Sequence, residues 1–290
     1  MLAPDWFEKM NDAFATGAAI VTTYRNTKNF DTNFISAAYG IHFCRSTVQY
    51  HRPRQRLGVC THIAGTGYVI QSRVLVNGWN FTELTEDTEL TQNIAAKGER
   101  IIFCEDAEFF DEQPHNFKVM FRQRLRWAKG RLCVFLKHGW TNIIGIFSRE
   151  GAAKRWANYD MFWYLFPGGL YAALLSLIAA VAGLVAGILA GTAVGDAVNA
   201  ATSWEFYRTI IVAAAGAYLG YTAQAAVVML REHRHIHCSA AKKVLYVFTF
   251  FWFDLMNLPI SVISLFMRVR WKPIVHDKAF NYDQIISRGK

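Results

Sequence analysis

Three apolar runs in the second half of the chain, 162–190, 206–230 and 244–267, restrict it more than any other feature. Each is close to the ~20 residues that a helix needs to span a bilayer, and loops or open sheets do not survive in hydrocarbon. Before about residue 160 the chain alternates polar and apolar residues as a water-soluble domain does. The expected class is therefore an α/β soluble part followed by an α-helical transmembrane domain. The expected boundaries are a soluble part over 1–137 that ends in an interfacial helix (about 116–137), a connector over 138–161, a membrane domain over 162–267 and a basic tail over 268–290.

The formal charge of +9 raises the question of nucleic acid. The basic residues cluster beside the apolar runs, which points to a lipid bilayer as the partner instead and disfavours nucleic acid. The five cysteines, Cys44, Cys60, Cys104, Cys133 and Cys238, show no C-x-x-C spacing and read as small apolar residues in a reducing compartment. The first residues run straight into a polar amphipathic stretch, which does not read as a signal peptide.

Charge also orients the apolar runs. The loop 191–204 carries one aspartate and no Lys or Arg, whereas Arg231–Lys243 is strongly basic. The positive-inside bias puts the first loop outside, the second in the cytoplasm, and the soluble part in the cytoplasm with it. The tail from Arg268 is basic too, and three full crossings would place it outside. Either the charge rule fails at the last helix or one run does not cross, and the third is then the one expected to fall short, because Asp254, Asn257 and Pro259 interrupt it. His233, His235, His237 and Cys238 offer a pair of metal ligands at most, so a solvated basic turn is expected there.

In the soluble part, helices are expected over 4–14, 33–52, 86–97 and 117–137, and strands over 18–24 and 100–104. Arg25 and Lys28 fall in a loop at a strand's carboxyl end, a place for phosphate or sugar, or for a solvated loop. Gly65-Thr66-Gly67 allows a ligand close to the backbone, or marks a bulge. Thr85 stands at the N-cap position of a helix, so Asp87 lies in its first turn, where free N–H groups favour a charged carboxylate fit for a general base. Glu86 and Asp87 would equally complement the helix dipole. Helical spacing puts Gln123, Arg126 and Trp127 on one face, beside a strip of Phe121, Leu125, Ala128 and Leu132.

These three motifs, in this order and just before membrane helices, resemble the second half of a processive, membrane-integrated family 2 glycosyltransferase, the group of cellulose, chitin, hyaluronan and poly-N-acetylglucosamine synthases. Gln123-Arg124-Leu125-Arg126-Trp127 matches the family's Q-x-x-R-W pattern, the most specific of the three. The resemblance implies a nucleotide-sugar-transferase (GT-A-like) fold, a UDP-linked donor, a glycan acceptor and export of the product across a cell membrane. It implies that Asp87, within Thr85-Glu86-Asp87, is the general base. Arg126 would hold the diphosphate and Trp127 would lie under the acceptor sugar. Gln123 and Arg124 would bind nearby, and Gly65, Thr66 and Gly67 would lie against the acceptor.

The family also implies a divalent metal, Mg²⁺ or Mn²⁺, held by a D-x-D motif. None occurs in this sequence; Asp87-Thr88-Glu89 and Asp106-Ala107-Glu108 come nearest. The motif would sit just before the helix that starts at Pro4, so the sequence reads as starting within the sheet, an incomplete domain. An inactive fragment, or a non-catalytic membrane subunit with an acceptor-binding face, is the alternative expectation.

Overall fold

The structure is a computed structural model, and it describes residues 1–189, 191, 195, 196, 199, 203–271 and 282–287. Most of the loop 191–204, and of the tail beyond Trp271, lies outside the described residues.

The soluble part opens with α1 (Trp6–Phe14) and β1 (Ile20–Thr27). Then come α2 (Phe34–Ser46), a π-helical turn (Thr47–His51) and α3 (Arg52–Leu57). β2 (Tyr68–Ile70), α4 (Glu86–Ala96) and β3 (Ile101–Asp111) complete it. The sheet order is β2-β1-β3, with β1 antiparallel to β2 and parallel to β3. β1 is buried along nearly its whole length, and its first five residues, Ile20 to Tyr24, are accordingly apolar or Thr with no alternation.

Several boundaries differ from those expected. β1 runs on to Thr27, so Arg25 is a strand residue and not a loop residue. The acidic stretch after Cys104 is the second half of β3 and not a loop. It pairs with β1 across a register shift at Thr23/Tyr24, and tertiary pairing there overrides the low strand propensity of Asp and Glu. The helix expected over 33–52 is interrupted by the π-helical turn.

α5 (Phe117–Ile146) continues nine residues past the expected end at Lys137, with Asn116 capping it through its side chain. α6 (Ala152–Leu165) fills the rest of the expected connector and packs on α5, with Gly145 against Asn158. The apolar part contains α7 (Gly168–Leu189), α8 (Trp204–Arg231), α9 (Ala240–Leu255) and α10 (Asn257–Phe266). Among the described residues, three stretches are long and apolar enough to cross a membrane: Gly168–Leu189, Tyr207–Arg231 and Ala240–Phe266.

The third stretch is broken at Met256, between α9 and α10. Pro259 has no N–H to give to a carbonyl one turn back. Beside the break, the carbonyl of Phe253 accepts from Arg124 Nη1 at 2.6 Å. Asp254 pairs with Arg45 of α2, so its carboxylate faces protein and not lipid.

The soluble part and the apolar helices share one core. Phe30, Tyr39, Ile41 and Phe43 pack with Ala225, Val228 and Met229 of α8 and with Phe250 and Phe253 of α9. A second core joins Ile20 and Ile101 of the sheet to Leu90 and Ile94 of α4, Val134 of α5 and Leu165 of α6. The histidine-rich segment after α8 is docked in part: His233 and Arg234 are exposed, whereas Glu232, Ile236 and Cys238 are buried. Glu232 is fully buried and accepts from Tyr24 Oη at 2.7 Å and from Arg52, while the His235 ring stacks on Tyr24 at 4.4 Å.

Candidate active site

The start of α4 is placed by α5. Arg126 Nη1 donates to the carbonyl of Leu84 at 2.6 Å. Eleven residues further along α5, on the same face, Lys137 donates to Glu89 at 2.5 Å. The Glu89 carboxylate turns back and accepts from the N–H groups of Thr82 and Glu83 at 2.9 and 3.1 Å. Burial works against ionised Glu89, but these bonds and that from His138 outweigh it and hold its pKa below the usual value. Between the two anchors lies Gly130, where a Cβ would fall 2.6 Å from the Thr85 side chain. The absence of a side chain there lets the Thr85-Glu86-Asp87 triplet press against α5.

Thr85 holds the cap position, yet its side chain makes no capping bond; its hydroxyl is buried against α5 without a partner among the described residues. Asp87 Oδ1 accepts from the Thr88 N–H at 2.8 Å. That bond does not settle the charge state as expected. Burial raises the Asp87 pKa first, and Glu86 beside it raises it further. The Thr88 N–H, Arg126 and Arg25 oppose this and leave the group above the ordinary aspartate value. An elevated carboxylate is a better proton acceptor near neutral pH than a fully stabilised one.

The glycine loop lies directly on Asp87. A Cβ on Gly65, whose φ is +78°, would sit 3.3 Å from Asp87 Oδ2. Gly67 answers to the sheet: its carbonyl accepts from Thr23 Oγ1 at 2.7 Å, and a Cβ there would meet the Phe109 ring at 2.3 Å.

On α5, Gln123, Arg126 and Trp127 face one cavity, as their spacing predicts. The cavity, about 1600 Å³, is also lined by Asp87, Glu86, Thr66 and Gly65. It runs past Trp127 to residues of α8 and α9, among them Gln224 and Asp254. The Oε1 of Gln123 is buried without a partner among the described residues. Trp127 packs edge-on against Tyr39 at 5.8 Å and Phe43 at 6.2 Å, and parallel to the His42 ring at 6.4 Å.

Arg124 also lines the cavity, but its guanidinium is engaged by protein. It reaches Phe253 O and, at 2.5 Å, Asn257 Oδ1, and lies 3.9 Å over the Phe253 ring. Arg25 is similarly occupied: it pairs with Asp111, donates to Ala64 O at 2.6 Å and covers the Phe43 ring at 3.8 Å. Lys28 sits 3.5 Å from Glu112.

Residues 1–267 match the family described as Glycosyl transferase family group 2. The chain belongs to that family. Over 77 residues it is also 39% identical to "Probable glycosyltransferase YdaM" of Bacillus subtilis (strain 168), a stretch covering 26% of this chain and 18% of that protein.

The residues described do not suit the metal that the family resemblance implies. Among them, no group of three or more His, Cys, Asp or Glu side chains could hold an ion. Glu89 is committed to Lys137, and Glu108 to Asn26 and His235. Asp111 and Glu112 border the cavity but are paired with Arg25 and Lys28.

Among the cavity-lining groups that escaped the sequence reading are His42 and His62. Burial depresses both pKa values well below that of free histidine, with nearby arginines adding to it, so both rings are neutral. Their place at the cavity depends on contacts made far along the chain, and no local pattern carries that.

Proposed function

We propose that this chain provides the acceptor and leaving-group side of an inverting sugar transfer from a nucleotide sugar, UDP-linked, to a growing polysaccharide. The observation that supports this most is the single cavity lined by Asp87, Arg126 and Trp127. In the reaction, the acceptor hydroxyl oxygen bonds to the anomeric carbon of the donor as its proton passes to the Asp87 carboxylate. The bond from that carbon to the diphosphate oxygen breaks, and its electron pair leaves with the nucleoside diphosphate. Arg126 stabilises the charge that gathers there. Trp127 offers a flat apolar ring to the sugar at the acceptor end, and Gln123 lines the cavity wall one turn away.

The cavity's extension to α8 and α9 supports processive transfer with export, since the product would lie against apolar helices as it grows. The proposed setting is a cell membrane with the soluble part in the cytoplasm. The docking of Glu232 and His235 on β1 supports a return of the chain to that side after α7 and α8. Tyr282 packs on Phe110 at 5.8 Å and Ile285 is buried, which supports placing the tail there too. The third apolar run, broken at Met256, then lies at the interface without crossing.

The test is acceptor engagement. Trp127→Ala is expected to weaken binding of β-linked glucose or N-acetylglucosamine oligosaccharides by about tenfold or more, the scale of one lost stacking contact. Nucleotide binding should change far less. Titration of the chain in nanodiscs with each ligand gives the comparison, and the reverse pattern would sink the assignment.

A further inference from the structure

His42 and Arg45 lie one turn apart on α2, and Arg45 Nη2 meets His42 Nδ1 at 3.0 Å. A guanidinium has no acceptor, so it is the donor in that contact. Nδ1 must therefore offer its lone pair, and the ring proton must reside on Nε2. Among the described residues, no protein acceptor pairs with Nε2, although His42 borders the cavity beside Trp127.

Arg45 is itself held from the membrane side. It forms an ion pair with Asp254, next to the break between α9 and α10, and its Nη1 donates to Gln224 Oε1 of α8 at 2.8 Å. Asp254 also accepts from Asn257 Nδ2 at 3.3 Å, and Asn257 accepts from Arg124 of the Q-R-L-R-W segment. A buried carboxylate in an otherwise apolar helix costs energy unless it is paired, and here its partner fixes one nitrogen of a cavity histidine.

We infer that His42 is a sugar-binding residue of this cavity: its Nε2–H donates to an oxygen of the sugar seated on Trp127, and Arg45, anchored by Asp254, is the positioning residue that keeps the proton on Nε2. The inference rests on the acceptor reading of Trp127. It gives the buried aspartate of the third apolar run a purpose, since the broken helix sets the hydrogen-bonding polarity of the sugar-binding wall. Burial and the cations around the ring, Arg45 of α2, Arg124 and Arg131 of α5 and Arg25 of β1, keep it neutral.

Glutamine can place an amide N–H where histidine places Nε2–H, whereas phenylalanine fills the space with no donor. The chain in nanodiscs is titrated with β-linked glucose and N-acetylglucosamine oligosaccharides, as unaltered protein and as His42→Phe, His42→Gln and Arg45→Met. His42→Phe is expected to weaken oligosaccharide binding roughly five- to tenfold, one net hydrogen bond, and His42→Gln to restore most of it. In ¹⁵N spectra of histidine-labelled protein, His42 should show the Nε2–H tautomer, and Arg45→Met should mix the two tautomers. A merely structural role would leave that signature unmoved. Binding by His42→Phe equal to that of the unaltered chain, with Trp127→Ala impaired, would overturn the role of His42 and leave the acceptor reading standing. An Nδ1–H tautomer in the unaltered chain would overturn the role of Arg45 and with it the inference. No binding of any oligosaccharide by the unaltered chain would overturn the acceptor reading and this inference together.

Discussion

Asp87 carries the chemistry of this account, and its environment makes a specific statement about pH. A general base must be deprotonated, so transfer should rise with pH through the elevated Asp87 pKa. Glu86 is one of the two influences that raise that pKa. Replacing it by glutamine removes a negative neighbour, so ionised Asp87 becomes easier to form. In a transfer-competent preparation, Glu86→Gln should therefore move the acid limb of the kcat/KM profile to lower pH; a limb that stays put, or moves upward, would mean that Asp87 is not the titrating base. The placement of Asp87, Arg126 and Trp127 was legible in residue type and spacing, and their candidate roles in the family resemblance. Their charge states were not, because burial decided the direction for Asp87 and burial is a property of the packed structure. His42 was invisible for the same reason, its anchor being supplied by Asp254 across 209 residues of chain.

At the scale of elements, α5 is the frame on which the site is built. Its Arg126, Gly130 and Lys137 address one loop, the approach to α4, through a carbonyl, a close contact and a buried carboxylate. Glu89 is the clamp in this arrangement. With its folded pKa depressed, its contribution to stability is present above the unfolded-state pKa and is lost as pH falls through the folded one. Glu89→Gln should destabilise the protein by roughly 2 kcal/mol at neutral pH, the worth of charge-assisted bonds to a buried acceptor. The deficit should vanish as acidification protonates Glu89, and thermal melts at pH 7 and at successively lower pH would check both. A deficit as large in acid as at neutral pH would contradict the ionised clamp. The 3.6-residue period exposed the face of α5 that carries Gln123, Arg126 and Trp127, and the position of α4 was equally plain. The length of α5 was not, because its last turns are held by α6 through the Gly145–Asn158 contact. The second half of β3 was missed because its acidic residues are ordered by pairing with β1, which no local propensity reports.

At the scale of the whole molecule, the soluble part is seated on the apolar helices through α2, with no linker separating the two. Asp254, Asn257 and Pro259 flagged the break in the third run from sequence, since each is out of place in a spanning helix. What the sequence left contradictory was the basic tail, and the contact of Tyr282 with Phe110 supports a place beside the soluble part. Reporter fusions at the tail and in the segment after α8 should report the same side; opposite sides would mean that the third run crosses. The central claim is that Asp87 takes the proton from the acceptor. It is tested most directly by Asp87→Asn in a preparation that transfers labelled sugar. Transfer is expected to disappear while nucleotide binding stays within about twofold, a difference under ~0.5 kcal/mol; transfer at an undiminished rate by the asparagine variant would contradict it.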